Sequence, residues 1–92
     1  MNIYEQMAVR IIQSQEAILS EEAVNEARKV PALLIDWNEK KITILGDKKK
    51  AIEQLVEHYR DNFGQPGIEV CKEAVRNILN KLPEDGIPSL LR

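Results

Sequence analysis

Apolar residues return at helical spacing from Asn2 to about Leu19. Tyr4, Met7, Ala8, Ile11, Ile18 and Leu19 fall on one side, Ile12 lies at its edge, and Gln15 interrupts the stripe. Asn2 followed three residues later by Glu5 reads as a capping box at the start of this helix. At Ser20 the pattern allows either one continuous helix to Lys29 or a second helix capped by Ser20. Glu21 and Glu22 at its start and Arg28 and Lys29 at its end match a helix dipole and favour the break. Ala23, Val24, Ala27 and Val30 then form the buried side, and Pro31 ends the helical segment of residues 1–30.

The period changes over residues 33–45. Leu33-Leu34-Ile35-Asp36-Trp37 and Ile42-Thr43-Ile44-Leu45, separated by Asn38-Glu39-Lys40-Lys41, read as a β-hairpin. A loop over Asn38 to Lys41, or a tighter one at Glu39-Lys40, sets Trp37 opposite Ile42, Asp36 opposite Thr43 and Ile35 opposite Ile44. Alternation places Ile35, Trp37, Ile42 and Ile44 on one face and Leu34, Asp36, Thr43 and Leu45 on the other. The first face is core; the second is apolar at one end and polar at the other.

Helical spacing resumes after Gly46, with Asp47 as the cap of a helix over residues 47–64. Its stripe is Ala51, Ile52, Leu55, Val56, Tyr59 and Phe63, and Gly64 stands at its C-cap. Pro66 opens another helix, residues 66–82, that buries Ile68, Cys71, Ala74, Val75, Ile78, Leu79 and Leu82 before Pro83. Residues 83–92 form an apolar tail in which Ile87, Leu90 and Leu91 fill a groove on this domain or on a partner. The order α(α)-β-β-α-α describes a single α+β domain over residues 1–92 with a small antiparallel hairpin packed on helices. Because two strands alone rarely hold together in water, the hairpin is expected to lean on the helices and, in a homodimer, to extend into a four-stranded sheet. Packing between N-terminal helices is the competing dimer geometry.

Composition changes this picture little. The chain of 92 residues is 43% hydrophobic and 30% charged, with 13 Lys and Arg against 15 Asp and Glu. Five basic and seven acidic residues precede Asp47, and from Asp47 onward there are eight of each, so neither half carries the basic excess of a nucleic-acid footprint. No run approaches the length of a membrane span, and the start Met-Asn-Ile-Tyr-Glu-Gln lacks the pattern of a signal peptide. A cytoplasmic location is the expectation.

Candidate chemistry is sparse. Cys71, alone of its type, sits inside an apolar stripe and reads as a buried core thiol that suits a reducing compartment. His58, also alone, lies on the flank of its helix near Gln54, Asp61 and Asn62, with an Asp61 pairing as its natural contact. One His and one Cys on mismatched faces assemble neither a metal site nor a nucleophile–base pair. Glu21, Glu22, Glu26, Glu53, Glu57, Glu69 and Glu73 fit exposed helix faces. Asp36, between Leu34 and Leu45 on the outer hairpin face, is the more informative carboxylate: a functional acid, a solvated or Thr-bonded strand position, or a charge that discourages wrong edge pairing. Lys48, Lys49 and Lys50 at a helix start oppose the dipole and hint at an anion or an acidic partner nearby.

Two helix–turn–helix arrangements are conceivable. One joins residues 2–19 and 20–29 with the hairpin as a wing; the other joins residues 48–63 and 68–82 around the turn at 64–67. The last helix would offer Lys72, Arg76, Asn77, Asn80 and Lys81 against Glu69 and Glu73. With no catalytic, cofactor or metal motif, the expectation is a small non-enzymatic protein-interaction or regulatory module acting as a homodimer. Trp37, Asp36, Thr43, Leu90 and Leu91 are its candidate interaction surface. A DNA-binding regulator and a module that holds a small apolar ligand near Trp37 are the alternatives.

Overall fold

A computed structural model describes all 92 residues. Helix α1 (Ile3–Leu19) is followed by the short α2 (Glu22–Ala27), strands β1 (Leu33–Asp36) and β2 (Lys41–Ile44), then α3 (Lys48–Phe63) and α4 (Gln65–Val75). Three short 3-10 turns, Leu79–Lys81, Glu84–Gly86 and Ser89–Leu91, carry the chain to its end. This is an α+β domain in the expected order. Its two-stranded antiparallel sheet packs on the helices through one face.

The helix ends follow from local chemistry. The Asn2 carboxamide accepts the Glu5 amide at 2.9 Å while the Glu5 carboxylate accepts the Asn2 amide at 3.1 Å, so the capping box is complete. Asp47 caps α3 by accepting the Lys50 amide at 3.0 Å. Gly64 ends α3 in the left-handed region, with φ of 70°. The break after α1 falls at Ser20, but Ser20 does not cap α2. It closes α1 instead, with φ of 56° and its amide bonded to the Glu16 carbonyl.

The core is continuous from α1 through α2 and the hairpin to α3 and α4. Met7, Ala8, Ile11 and Ile12 meet Ala23, Ala27 and Val30, together with Leu33, Ile42, Ile44, Ile52, Leu55, Val56, Tyr59, Cys71 and Val75. Ile18, expected in the buried stripe, is 64% exposed, whereas Leu19 beside it packs partly buried against the core. Gln15, by contrast, is buried: its amide nitrogen donates to the Gly67 carbonyl at 2.9 Å and to the Cys71 sulfur at 3.4 Å. What interrupts the apolar stripe therefore fastens α1 to α4. The buried Tyr59 hydroxyl donates to the Ala23 carbonyl at 2.6 Å and fastens α3 to α2 in the same way.

Two boundaries differ from the sequence reading. The hairpin register is Leu33 with Ile44, Leu34 with Thr43, Ile35 with Ile42 and Asp36 with Lys41. The turn occupies Trp37 to Lys40, so Asp36 faces Lys41 rather than Thr43, and Trp37 leaves the ladder. Lys40 adopts φ of 52° and donates its amide to the Trp37 carbonyl, and the Asp36 carboxylate accepts the Glu39 amide at 3.3 Å. These local bonds select the earlier turn. The slip is two residues, which preserves the faces: Leu33, Ile42 and Ile44 are buried, Ile35 is half-buried, and Leu34, Asp36, Lys41 and Thr43 are exposed.

Helix α4 also stops at Val75 rather than Leu82. Beyond it the amides of Arg76, Ile78, Lys81 and Leu82 bond three residues back, a tighter winding that turns the chain. This turn lets Ile78 stay buried while sending the tail back across α3.

Candidate interaction surface on the hairpin

The outer face of the sheet is uncovered. Leu34 is 53% exposed and Leu45 52% exposed, with Thr43 between them. Leu34, Asp36, Lys41 and Thr43, with part of Ile35, line a shallow open depression there. Asp36 and Lys41 lie directly opposite one another at the turn end, yet they form no ion pair. Asp36 spends one carboxylate oxygen on the turn, and Lys41 projects into solvent. Three of the expected surface residues thus sit on or beside this face: Asp36 and Thr43 on it, and Trp37 at the turn.

Trp37 is tied inward. Its indole N–H donates to the Glu16 carboxylate on α1 at 3.0 Å, and the Lys40 ammonium stands 4.4 Å from the ring centre. Trp37 is partly buried against the core, and none of the surface concavities borders it.

Both edges of the sheet are clamped by charged side chains that the sequence reading did not single out for this role. On β2, the Glu5 carboxylate accepts the Ile44 amide at 2.9 Å. That bond outweighs the desolvation of Glu5 and, with the Asn2 amide and the Lys48 charge, holds its carboxyl below the ordinary value. On β1, Arg28 donates to the Ile35 carbonyl at 3.0 Å. Strand addition at either edge would have to displace one of these groups. Their signal in the sequence was faint: Glu5 already had a role in the capping box, and Arg28 in the helix dipole.

The tail takes the intramolecular alternative. Leu91 is buried, Leu90 half-buried and Pro88 buried against this chain's own helices. Glu53 on α3 accepts the Ser89 amide, the Ser89 hydroxyl and the Leu90 amide, each at 2.8 Å. Burial opposes ionisation of Glu53, but these bonds and the Lys49 charge prevail and lower its pKa. Tyr4 donates to the Gly86 carbonyl at 2.8 Å and Lys49 to the Asp85 carbonyl at 2.7 Å. Two of the three lysines that opposed the α3 dipole therefore have internal counterparts: Lys48 stabilises ionised Glu5, and Lys49 binds the tail.

The remaining candidates also find places. Burial pushes the Cys71 thiol up to about 11, against a weaker opposing hydrogen bond from Gln15, so it is a poor nucleophile. His58 does not pair with Asp61, which binds Arg60. It stands 3.8 Å from Glu26, a carboxylate expected on an exposed face but found 5% exposed. Lys29 at 2.8 Å and Asn62 at 2.9 Å satisfy that carboxylate, which makes it a brace between α2 and α3. A polar cleft beside it is lined by Val30, Pro31, Gln54, Glu57, His58 and Asp61. No cluster of three or more His, Cys, Asp or Glu side chains could hold a metal ion. The proposed recognition helix loses its basic face, since Arg76, Asn77, Asn80 and Lys81 lie beyond the end of α4 and Arg76 pairs with Glu73. No helix is long and apolar enough to cross a membrane. Comparison of the chain with protein-family models, with curated proteins and with solved structures gives no match.

Proposed function

We propose that this chain is a non-enzymatic protein-interaction module of the cytoplasm that self-associates as a homodimer through the outer face of its hairpin. The observation that carries the reading is the half-exposure of Leu34 and Leu45 on an uncovered sheet face whose edges are both occupied. A sheet closed to strand addition but open on its face favours packing face to face over the four-stranded edge-to-edge sheet. The buried Cys71 thiol is compatible with a reducing compartment.

Covering the exposed half of a leucine is worth about 1 kcal/mol, so the four leucines of a dimer supply roughly 4 kcal/mol. The face of a two-stranded sheet is small beside the ~800 Å² per partner of a standard interface. A weak, reversible dimer follows, with a Kd in the micromolar-to-millimolar range. Light scattering or sedimentation over that concentration range is expected to show the mass rising from 10.5 kDa towards twice that value. Leu34→Glu is expected to hold it at the monomer. A constant 10.5 kDa for the unmodified chain up to millimolar concentration refutes the proposal.

A further inference from the structure

The hairpin register points to how two copies fit, and to a charge code that selects the partner; this rests on the dimer proposed above. We infer that the two copies pack sheet face on sheet face about a two-fold axis parallel to the strands, with Asp36 of each over the partner's Lys41. The symmetry follows from the pairing. Rotation about such an axis lays β1 of one copy over β2 of the other without shifting either along the strand. Residues that face each other within the hairpin therefore face each other again between copies.

Each pair gains a complement. Asp36 lies opposite Lys41 in the register, so two intermolecular ion pairs form at the turn end. Both charges are exposed and neither has an ion-pair partner within the chain. Leu34 lies opposite Thr43, so each leucine meets the partner's Thr43. Leu45 donates its amide to Ala32 at 2.8 Å, which makes Ala32 its neighbour across the ladder. The large Leu45 then sits over the partner's Ala32, a small and half-exposed residue. The other two-fold axes do worse. An axis across the strands turns the charged end of one face onto the leucine end of the other. An axis normal to the sheet requires an edge, and Glu5 and Arg28 hold both edges.

Charge reversal tests the geometry. Asp36→Lys gives a homodimer with lysine over lysine, and Lys41→Asp gives one with aspartate over aspartate. Each is expected to weaken self-association by about tenfold or more, since two exposed pairs turn from attractive to repulsive. Mixing the two variants brings together one chain that is positive at both positions and one that is negative at both. Sedimentation of the mixture is expected to recover association near that of the unmodified protein. Added salt should weaken the mixture and strengthen each variant alone. Circular dichroism is the check that both variants fold. If the unmodified protein dimerises, Leu34→Glu abolishes dimerisation, and the charge variants behave like the parent, the axis is wrong while the interaction face stands. If mixing fails to restore what single reversal removes, the cross-pairing is likewise refuted. If the unmodified chain stays monomeric, the proposed dimer fails and this geometry with it.

Discussion

Gly67→Ala tests the close backbone approach of α4 to α3. A Cβ at residue 67 would lie 2.5 Å from the Tyr59 carbonyl oxygen and 3.0 Å from its carbon, where ordinary contact begins at 3.4 Å. The obstacle is α3 backbone, so no side-chain rotation relieves it, and α4 must retreat by roughly 1 Å in a close-packed interior. That retreat also stretches the buried bond from Gln15 to the Gly67 carbonyl, now 2.9 Å. Overpacking of this kind costs about 1–3 kcal/mol, and weakening a buried hydrogen bond adds about 1 kcal/mol. Alanine returns less than ~1 kcal/mol of helix propensity, because residue 67 lies in the first turn of α4. The expected net loss is about 1–3 kcal/mol, a fall in Tm of roughly 5–15 °C for a domain of this size. Urea and thermal unfolding followed by far-ultraviolet circular dichroism measure it. Gly46→Ala provides the comparison: φ there is 78° but nothing lies within 4 Å, so only backbone strain of about 1 kcal/mol is expected. A Gly67→Ala protein as stable as its parent would refute the close approach of α3 and α4.

Glu53→Ala removes the acceptor of three tail bonds and is expected to cost about 1–2 kcal/mol, with limited proteolysis showing early cleavage within residues 83–92. Because the folded-state pKa of Glu53 is lowered, its contribution is complete above the unfolded carboxylate value and is lost as pH falls through the folded one. The Glu53→Ala deficit should therefore shrink in acid, and a deficit that is flat with pH would contradict the assignment. Glu5→Ala loses the capping box and frees the Ile44 amide, for an expected loss of about 1–2 kcal/mol and, by light scattering, larger irregular aggregates from the opened edge. The Cys71 thiol should react with a disulfide reagent only at the rate of unfolding, so rapid labelling of the native protein at neutral pH would disprove its burial.

Elements that depend on nearest neighbours in sequence were legible. The Asn2 and Asp47 caps, the Gly64 stop and the inward set Ile42 and Ile44 all follow from spacing and local chemistry. What escaped depends on distant partners or on competing turns. Glu26 looks like a solvated helix acid until α3 brings Asn62 to it, and Gln15 looks like a flaw until α4 brings Gly67. The register slipped because periodicity fixes faces, and a displacement of two residues leaves every face unchanged. Helix α4 ended early because the apolar spacing of Ile78, Leu79 and Leu82 serves a 3-10 winding as well as an α-helix. The same ambiguity hid the path of the tail. Of the candidate surface, Asp36 and Thr43 are placed outward by alternation alone, whereas the inward tether of Trp37 needs Glu16, 21 residues away.

The hairpin poses a physical problem that its surroundings resolve, and the solution separates folding from association. A two-stranded sheet is marginal in water, but here Leu33, Ile42 and Ile44 complete the chain's own core, and Glu5, Arg28 and Glu16 fasten the edges and the turn from outside the sheet. The fold therefore does not need a second copy. The residues left over on the outer face contribute little to folding: Leu34 and Leu45 are already half-exposed, and Lys41 is unpaired. A substitution such as Leu34→Glu accordingly changes the stability of the dilute protein by no more than about 0.5 kcal/mol, as expected for an exposed site, while removing the contact that two copies would share. Obligate dimers behave otherwise, because their interface is part of the core and a charge placed there unfolds the chain. Unfolding at low concentration thus distinguishes the two cases: a large loss of stability in Leu34→Glu would mean that this face belongs to the folding core rather than to a reversible docking surface.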